Sequence, residues 1–185
     1  MKVNKQELLK HLEYEYKLLA EAAIAWDKER SAIVQDSLLL HTRNILLFFS
    51  ETKNLRDTDI HVSMYCTNES VKYFYCKINN DQMLKDLAQG ISVHVLHLTY
   101  WRDPIYRNTV DEDPQIEALR KQSKRPIFDN INHEICPKLL RLLKDLMNKS
   151  KPEYEYKIKE MHDKIHKSFN TANIKAKSYN RGCLF

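Results

Sequence analysis

The chain contains very little glycine: Gly90 and Gly182 are the only two among 185 residues. This scarcity argues against tight β-hairpin turns, which often require glycine at positive φ. It also excludes glycine-rich phosphate-binding loops, because two isolated glycines complete neither the dinucleotide-binding pattern nor the P-loop pattern. Functions that depend on such loops are therefore not expected.

Paired cysteines and long apolar runs are missing as well. Cys66, Cys76, Cys136 and Cys183 form no C-x-x-C pair, so a structural zinc site is not expected. No stretch of 18 apolar residues occurs, and the first residues carry no apolar segment of the signal-peptide type. We therefore predict no membrane association, no cofactor, no metal, and a cytoplasmic location with reduced thiols.

Basic charge is concentrated in the last part of the sequence. Residues 141–185 hold 11 Lys and Arg against 5 Asp and Glu, a net charge of +6, whereas residues 1–140 hold 19 against 20, a net charge of −1. A basic segment can bind nucleic acid, although charged chain ends are often simply solvated. We expect residues 1–150 to form the folded domain, and residues 151–185 to form a basic peripheral helix and a partly disordered tail.

Apolar spacing predicts helices along most of the chain. In residues 5–29, apolar positions three and four apart form one stripe, and Asn4 is a suitable N-cap. The stripe consists of Leu9, Leu12, Tyr16, Leu19, Ala23 and Trp26. Residues 31–52 are apolar on nearly every side, which is typical of a central, buried helix. Helical spacing returns over residues 81–101 and 127–148.

The stretch from residue 53 to residue 80 is less regular. Its valines and aromatic residues favour extended structure by propensity, so we expect a loop with a short helix or two short strands. Pro137 should break or kink the helix in which it lies. The predicted fold class is all-α, an up-and-down bundle of four to five helices with an irregular insertion near 53–80 and a basic C-terminal appendage.

Three polar residues interrupt the apolar second helix. His41 and Asn44 are three residues apart and so share one helix face, and Arg43 lies on a neighbouring face. Burying such groups is costly unless they are paired and hydrogen-bonded, so partners elsewhere are expected. The acidic residues that could neutralise the arginines include Asp27, Asp36, Asp86 and Glu134.

A second polar group contains His94, His97, Thr99 and Arg102. If its helix packs beside the second helix, the two groups form a cationic, donor-rich cluster suited to a phosphate or a nucleic-acid backbone. Histidine adds a group that can transfer protons near neutral pH. The alternative is that the same side chains only join helices through hydrogen bonds.

The sequence His41-Thr42-Arg43-Asn44 before Ile-Leu-Leu-Phe-Phe, and the later His97-Leu98-Thr99-x-x-Arg102, resemble bacterial helical proteins similar to the HEPN superfamily, including its abortive-infection types. The resemblance covers roughly residues 5–145. It implies a metal-independent ribonuclease of phage defence or of a toxin–antitoxin system, typically a dimer. The family motif is an arginine, usually before a polar residue, with a histidine four to six residues beyond.

The motif is not complete at Arg43-Asn44, because no histidine follows at that distance. Arg56 and His61 do have the required spacing. Three alternatives stay open: Arg56 and His61 form the active pair, the nuclease motif is lost, or the chemistry has moved to the cluster. The predicted catalytic residues are His41, Arg43, Asn44, His97 and Arg102, with Arg56 and His61 as second choice.

The resulting hypothesis is an RNA-directed protein of bacterial defence or stress response, and its most specific form is a metal-independent endoribonuclease toxin. In that mechanism a histidine acts as general base on a ribose 2′-hydroxyl while an arginine stabilises charge on the phosphate. The rivals are a non-catalytic interaction or regulatory subunit and a nucleotide-binding sensor. Expected partners are RNA or a nucleotide, a protein partner or antitoxin, and a second copy of the chain.

His162 and His166 are four residues apart and could hold a metal, but a solvated helix explains this spacing equally well.

Overall fold

The protein is described by a computed structural model, which places residues 4–29, 31–51, 60–85, 87–88 and 134–171. The helices α1 to α5 span Lys5–Lys28, Ala32–Phe49, Asn68–Asn80, Cys136–Lys149 and Pro152–Thr171, and Val62–Met64 forms a 3-10 turn. Residues 82–85 and 87–88 are helical too. Within these ranges the extended pairing is limited to an isolated bridge between Cys66 and Ser150. The all-α helical fold is therefore confirmed.

Side-chain caps start the first three helices. Asn4 accepts a hydrogen bond from the Gln6 amide at 3.1 Å, as its position in the sequence predicts. Ser31 caps α2 and Thr67 caps α3 in the same way, each accepting from the amide three residues on. These local hydrogen bonds satisfy donors that a helix leaves unpaired at its start.

Helix α1 supplies the centre of the core. All six residues of its predicted apolar stripe are buried, and Tyr16, Leu19 and Ala23 are completely so. The helix packs against α2 and against α5. Tyr16 also donates its hydroxyl to the Leu139 carbonyl of α4 at 2.7 Å in a buried contact, which connects α1 to a helix 123 residues away in sequence.

Helices α4 and α5 complete the core. In α4, Pro137 lies in the first turn and not in the helix interior. In the first turn the backbone N–H groups have no partner within the helix, so the missing N–H of proline costs nothing. Helix α5 buries Ile158, Met161, Ile165 and Phe169 against the rest of the bundle. It carries four lysines and four acidic residues, so the basic excess lies elsewhere in the C-terminal region. The domain division at residue 150 stays a prediction, and residues 172–185 lie outside the described ranges.

The irregular stretch contains more helix than its propensities suggest. Residues 52–59 lie outside the described ranges, but the remainder forms the 3-10 turn and the 13-residue helix α3. Val71, Phe74 and Ile78 of α3 are buried at helical spacing. Burial of this apolar face overrides the β-propensity of the neighbouring tyrosines, so the short-helix alternative is found here. Most of the predicted helix 81–101, and residues 127–133, lie outside the described ranges.

We predict that Tyr16→Phe lowers the free energy of unfolding by about 1–2 kcal/mol, because it removes a buried hydrogen bond and keeps the ring. Chemical denaturation followed by circular dichroism would measure the change. The matched control is Tyr14→Phe on the same helix, because Tyr14 is exposed. Equal stability of the two variants would show that the contact with α4 contributes nothing.

Candidate functional site

The polar residues of α2 meet a carboxylate of α1. The Nδ1–H of His41 donates to Oε2 of Glu15 at 2.7 Å, and the Nδ2–H of Asn44 donates to the same oxygen at 3.1 Å. An ionised carboxylate only accepts, so Nδ1 carries the proton in this arrangement. The structure thus brings His41 and Asn44 together, as their spacing predicts, with Glu15 between them.

Glu15 was not among the acidic partners predicted from the sequence, which were Asp27, Asp36, Asp86 and Glu134. The available signal was spacing, since Glu15 follows Leu12 by three residues and precedes Leu19 by four, and both leucines are buried. A carboxylate at such a position lies beside the core stripe and must find a donor on the facing helix.

Chemically, the cluster resembles a carboxylate-oriented imidazole. Glu15 sets the tautomer of His41 and would stabilise an imidazolium. The Nε2 atom of His41 has no hydrogen-bond partner among the described residues. However, His41 is only 7% exposed, and Glu15 offsets the positive charge that a phosphate would require. The same contacts also join α1 to α2 in the manner of a structural network.

Arg43 and Thr42 are less completely satisfied. The Nε of Arg43 and the hydroxyl of Thr42 are buried without a hydrogen-bond partner, considering the described part of the chain. Buried polar atoms without a hydrogen-bond partner are uncommon in native proteins, and some of them have a functional role. His97 and Arg102, the other half of the predicted cluster, lie outside the described ranges, so the composite site stays a prediction.

Helix α2 is open to solvent along one narrow line. Ile33 is 77% exposed, Leu40 39% and Leu47 36%. These residues are seven apart, so each lies about 20° from the previous one around the helix. Asp36 and Arg43 lie on one flank of the line, and Ser37 and Asn44 lie on the other. We name the line of Ile33, Leu40 and Leu47 the α2 stripe.

His61 lies in a separate place and is completely buried. Its Nδ1 accepts the Ser63 amide at 3.2 Å, and its Nε2 lies 2.8 Å from the Ser50 carbonyl that ends α2. These contacts indicate a neutral imidazole that carries its proton on Nε2. The ring joins α2 to the 3-10 turn. Burial lowers its pKa, an effect larger than the opposing hydrogen bond to Ser50. Arg56, the predicted partner of His61, lies outside the described ranges.

Among the residues that the structure describes, no group of three or more His, Cys, Asp or Glu side chains could hold a metal ion. None of the described helices is both long and apolar enough to cross a membrane.

Comparison with protein-family models, with curated proteins and with solved structures finds no significant match to this chain. The likeness to HEPN proteins therefore stays a prediction.

We predict that His61 makes the fold less stable at acidic pH. Because its pKa in the folded state lies below the usual value of 6.5, the unfolded chain takes up the proton first. The contribution of the neutral His61 imidazole to the free energy of unfolding is complete above about pH 6.5, and it is lost as the pH falls below that value. Urea denaturation at several pH values would measure this for the wild type and for His61→Gln, which keeps a donor for Ser50.

The variant should lose less stability on acidification than the wild type. His11→Gln is the matched control, because His11 is exposed on α1, and it should keep the pH dependence of the wild type. An unchanged pH dependence in His61→Gln would contradict the assignment of His61 as a buried neutral group.

Proposed function

We propose that this chain is a non-catalytic interaction or regulatory subunit that associates with a second copy of itself through the α2 stripe. The observation that carries the proposal is the exposure of three large aliphatic side chains in a line on a helix whose other described residues are buried or half-buried. Large apolar side chains exposed along one helix face can mark an interaction site. The regular seven-residue spacing matches the seam along which two helices pack.

The flanks of the stripe favour an antiparallel pair. In such a pair, centred on Leu40, Ile33 of each copy packs near Leu47 of the other. Asp36 precedes Leu40 by four residues and Arg43 follows it by three, so Asp36 of each copy lies about 1.5 Å along the axis from Arg43 of the other. In a parallel pair the flank with Asp36 and Arg43 would instead face the Ser37 and Asn44 flank of the other copy, so these two opposite charges would not meet across the seam.

The proposed pairing also gives Arg43 an anionic partner. Its buried Nε lacks one within the described residues, whereas Asp36 already makes an interaction inside its own chain. Ser37 and Asn44 would face each other on the other flank, where both can form hydrogen bonds. The stripe is therefore complementary to itself in charge as well as in shape.

In this proposal the Glu15–His41–Asn44 cluster has a structural role. It keeps α2 fixed on α1, so the stripe faces outward in one orientation. Three aliphatic side chains bury less surface than a standard interface of about 1,600 Å². We therefore expect a dimer that dissociates on dilution.

We predict that Leu40→Glu abolishes dimer formation, because the two carboxylates would meet at the centre of the interface. Sedimentation velocity over a range of concentrations would measure the dimer fraction. Tyr156→Glu is the matched control, since Tyr156 is 81% exposed on α5, a different helix. Asp36→Lys should weaken the dimer, and adding Arg43→Asp should restore it. A wild-type chain that stays monomeric at every concentration would contradict the proposal.

A metal-independent endoribonuclease of bacterial defence is the second candidate, and the hydrogen bond between His41 and Glu15 favours it. In this mechanism Nε2 of His41 would take the proton of a ribose 2′-hydroxyl. Glu15 would stabilise the resulting imidazolium, and Arg43 would stabilise charge on the phosphate. The predicted contributions of His97 and Arg102 would complete the site. The nucleotide-binding sensor also stays a prediction.

For this candidate we predict that the chain cleaves RNA in the presence of EDTA and that His41→Ala lowers the rate about 10²–10⁴-fold. Glu15→Gln should lower it less, since the amide oxygen still accepts from Nδ1. Gel assays on varied RNAs would compare these variants with His61→Ala and His97→Ala at matched melting temperature. Equal rates for the wild type and His41→Ala, or no cleavage by the folded wild type, would count against the nuclease.

A further inference from the structure

The second half of α5 carries two histidines that neither proposed function uses. His162 and His166 are one helical turn apart, and their ring centroids are separated by 5.7 Å with an angle of 40° between the ring planes. Together with Asp163, Lys167 and Asn170 they line an open surface cavity. Residues four apart are neighbours on one helix face, so the two imidazoles lie side by side on it.

Each ring already has a neighbour at its inner nitrogen. The Nδ1 of His162 lies 3.2 Å from an oxygen of Asp163, and the Nδ1 of His166 lies 2.9 Å from the side-chain amide of Asn170. A carboxylate at Nδ1 fixes the tautomer in which Nε2 carries the lone pair. Rotating the Asn170 amide by half a turn brings its oxygen to Nδ1 of His166, which then has the same tautomer.

We propose that His162 and His166 bind one divalent first-row transition metal ion, such as Ni²⁺, Cu²⁺ or Zn²⁺, through their Nε2 atoms. With metal–nitrogen distances of about 2.1 Å and a near-tetrahedral angle, the two ring centroids would be about 5 Å apart. The observed separation is therefore close to the chelating one. Imidazole ligands select these ions over Mg²⁺ and Ca²⁺, which take oxygen ligands.

The surroundings determine how many ligands the protein supplies. Because the described residues contain no group of three such side chains, water would complete the coordination shell. Asp163 contributes a negative charge beside His162. Lys164 is paired with Glu160 at 2.8 Å and lies 3.8 Å from Glu13, so those carboxylates offset its charge. Lys167 is the cationic residue that lines the same cavity.

The site also connects metal binding to the stability of α5. A chelate across one turn can form only where the segment is helical, so the metal favours the folded chain over the unfolded one. Helix α5 buries Ile165 and Phe169 around the two histidines. Occupation of the site would therefore strengthen the packing of this helix on the bundle.

Isothermal titration of the full chain with NiCl₂, without a polyhistidine tag, tests the proposal. We expect one ion per chain, and at least tenfold weaker binding for His166→Ala. The decisive control is the double variant His166→Ala, Lys167→His, which keeps two histidines but moves one to another side of the helix. It should bind as weakly as His166→Ala, whereas His11→Ala should bind like the wild type.

The melting temperature gives a second readout. Added NiCl₂ should raise it for the wild type and should raise it less for the double variant. Binding by the double variant as tight as that of the wild type would overturn the chelate geometry. Wild-type affinity in His166→Ala would show that the ion binds elsewhere.

Discussion

The packing of α1 against α2 and α5 is the contact on which the rest of the structure depends. Helix α1 contacts both of these helices, and its Tyr16 hydroxyl reaches α4. Helix α2 follows α1 directly, but α4 and α5 come from a distant part of the sequence, so their association with α1 must offset the conformational entropy of closing a long loop. Apolar burial supplies most of that stabilisation, and the polar contacts determine how the helices are oriented.

Helix α2 is constrained on nearly every side by this packing. Any polar residue that it carries must either find a partner in the interior or lie at the single open line. His41 and Asn44 follow the first course through Glu15, and Arg43 lies between the two situations because its Nε is buried and unpaired within the described chain. Thr42 follows neither course, since its hydroxyl is buried without a partner in the described part of the chain.

Both proposed functions use α2 and both involve Arg43, but they place different demands on the rest of the helix. The interaction proposal depends on the exposed stripe and requires the Glu15–His41–Asn44 cluster to be rigid. The nuclease proposal depends on access of a substrate to the little-exposed imidazole of His41. A carboxylate beside that imidazole supports proton transfer, yet it also weakens the attraction of the cluster for a phosphate. The metal pair on α5 is independent of both, because it lies on another helix.

The sequence by itself determined the helical class, the stripe of α1, the Asn4 cap and the shared face of His41 and Asn44, because each follows from the 3.6-residue period or from local hydrogen bonding. It could not identify Glu15 as their partner, since that contact joins residues 26 and 29 positions apart. Nor could it show that Asn68–Asn80 forms the helix α3, because tertiary burial there overrides local propensity. The sequence also could not show that the α2 stripe is exposed, since the identity of an apolar residue does not reveal whether a neighbouring helix covers it.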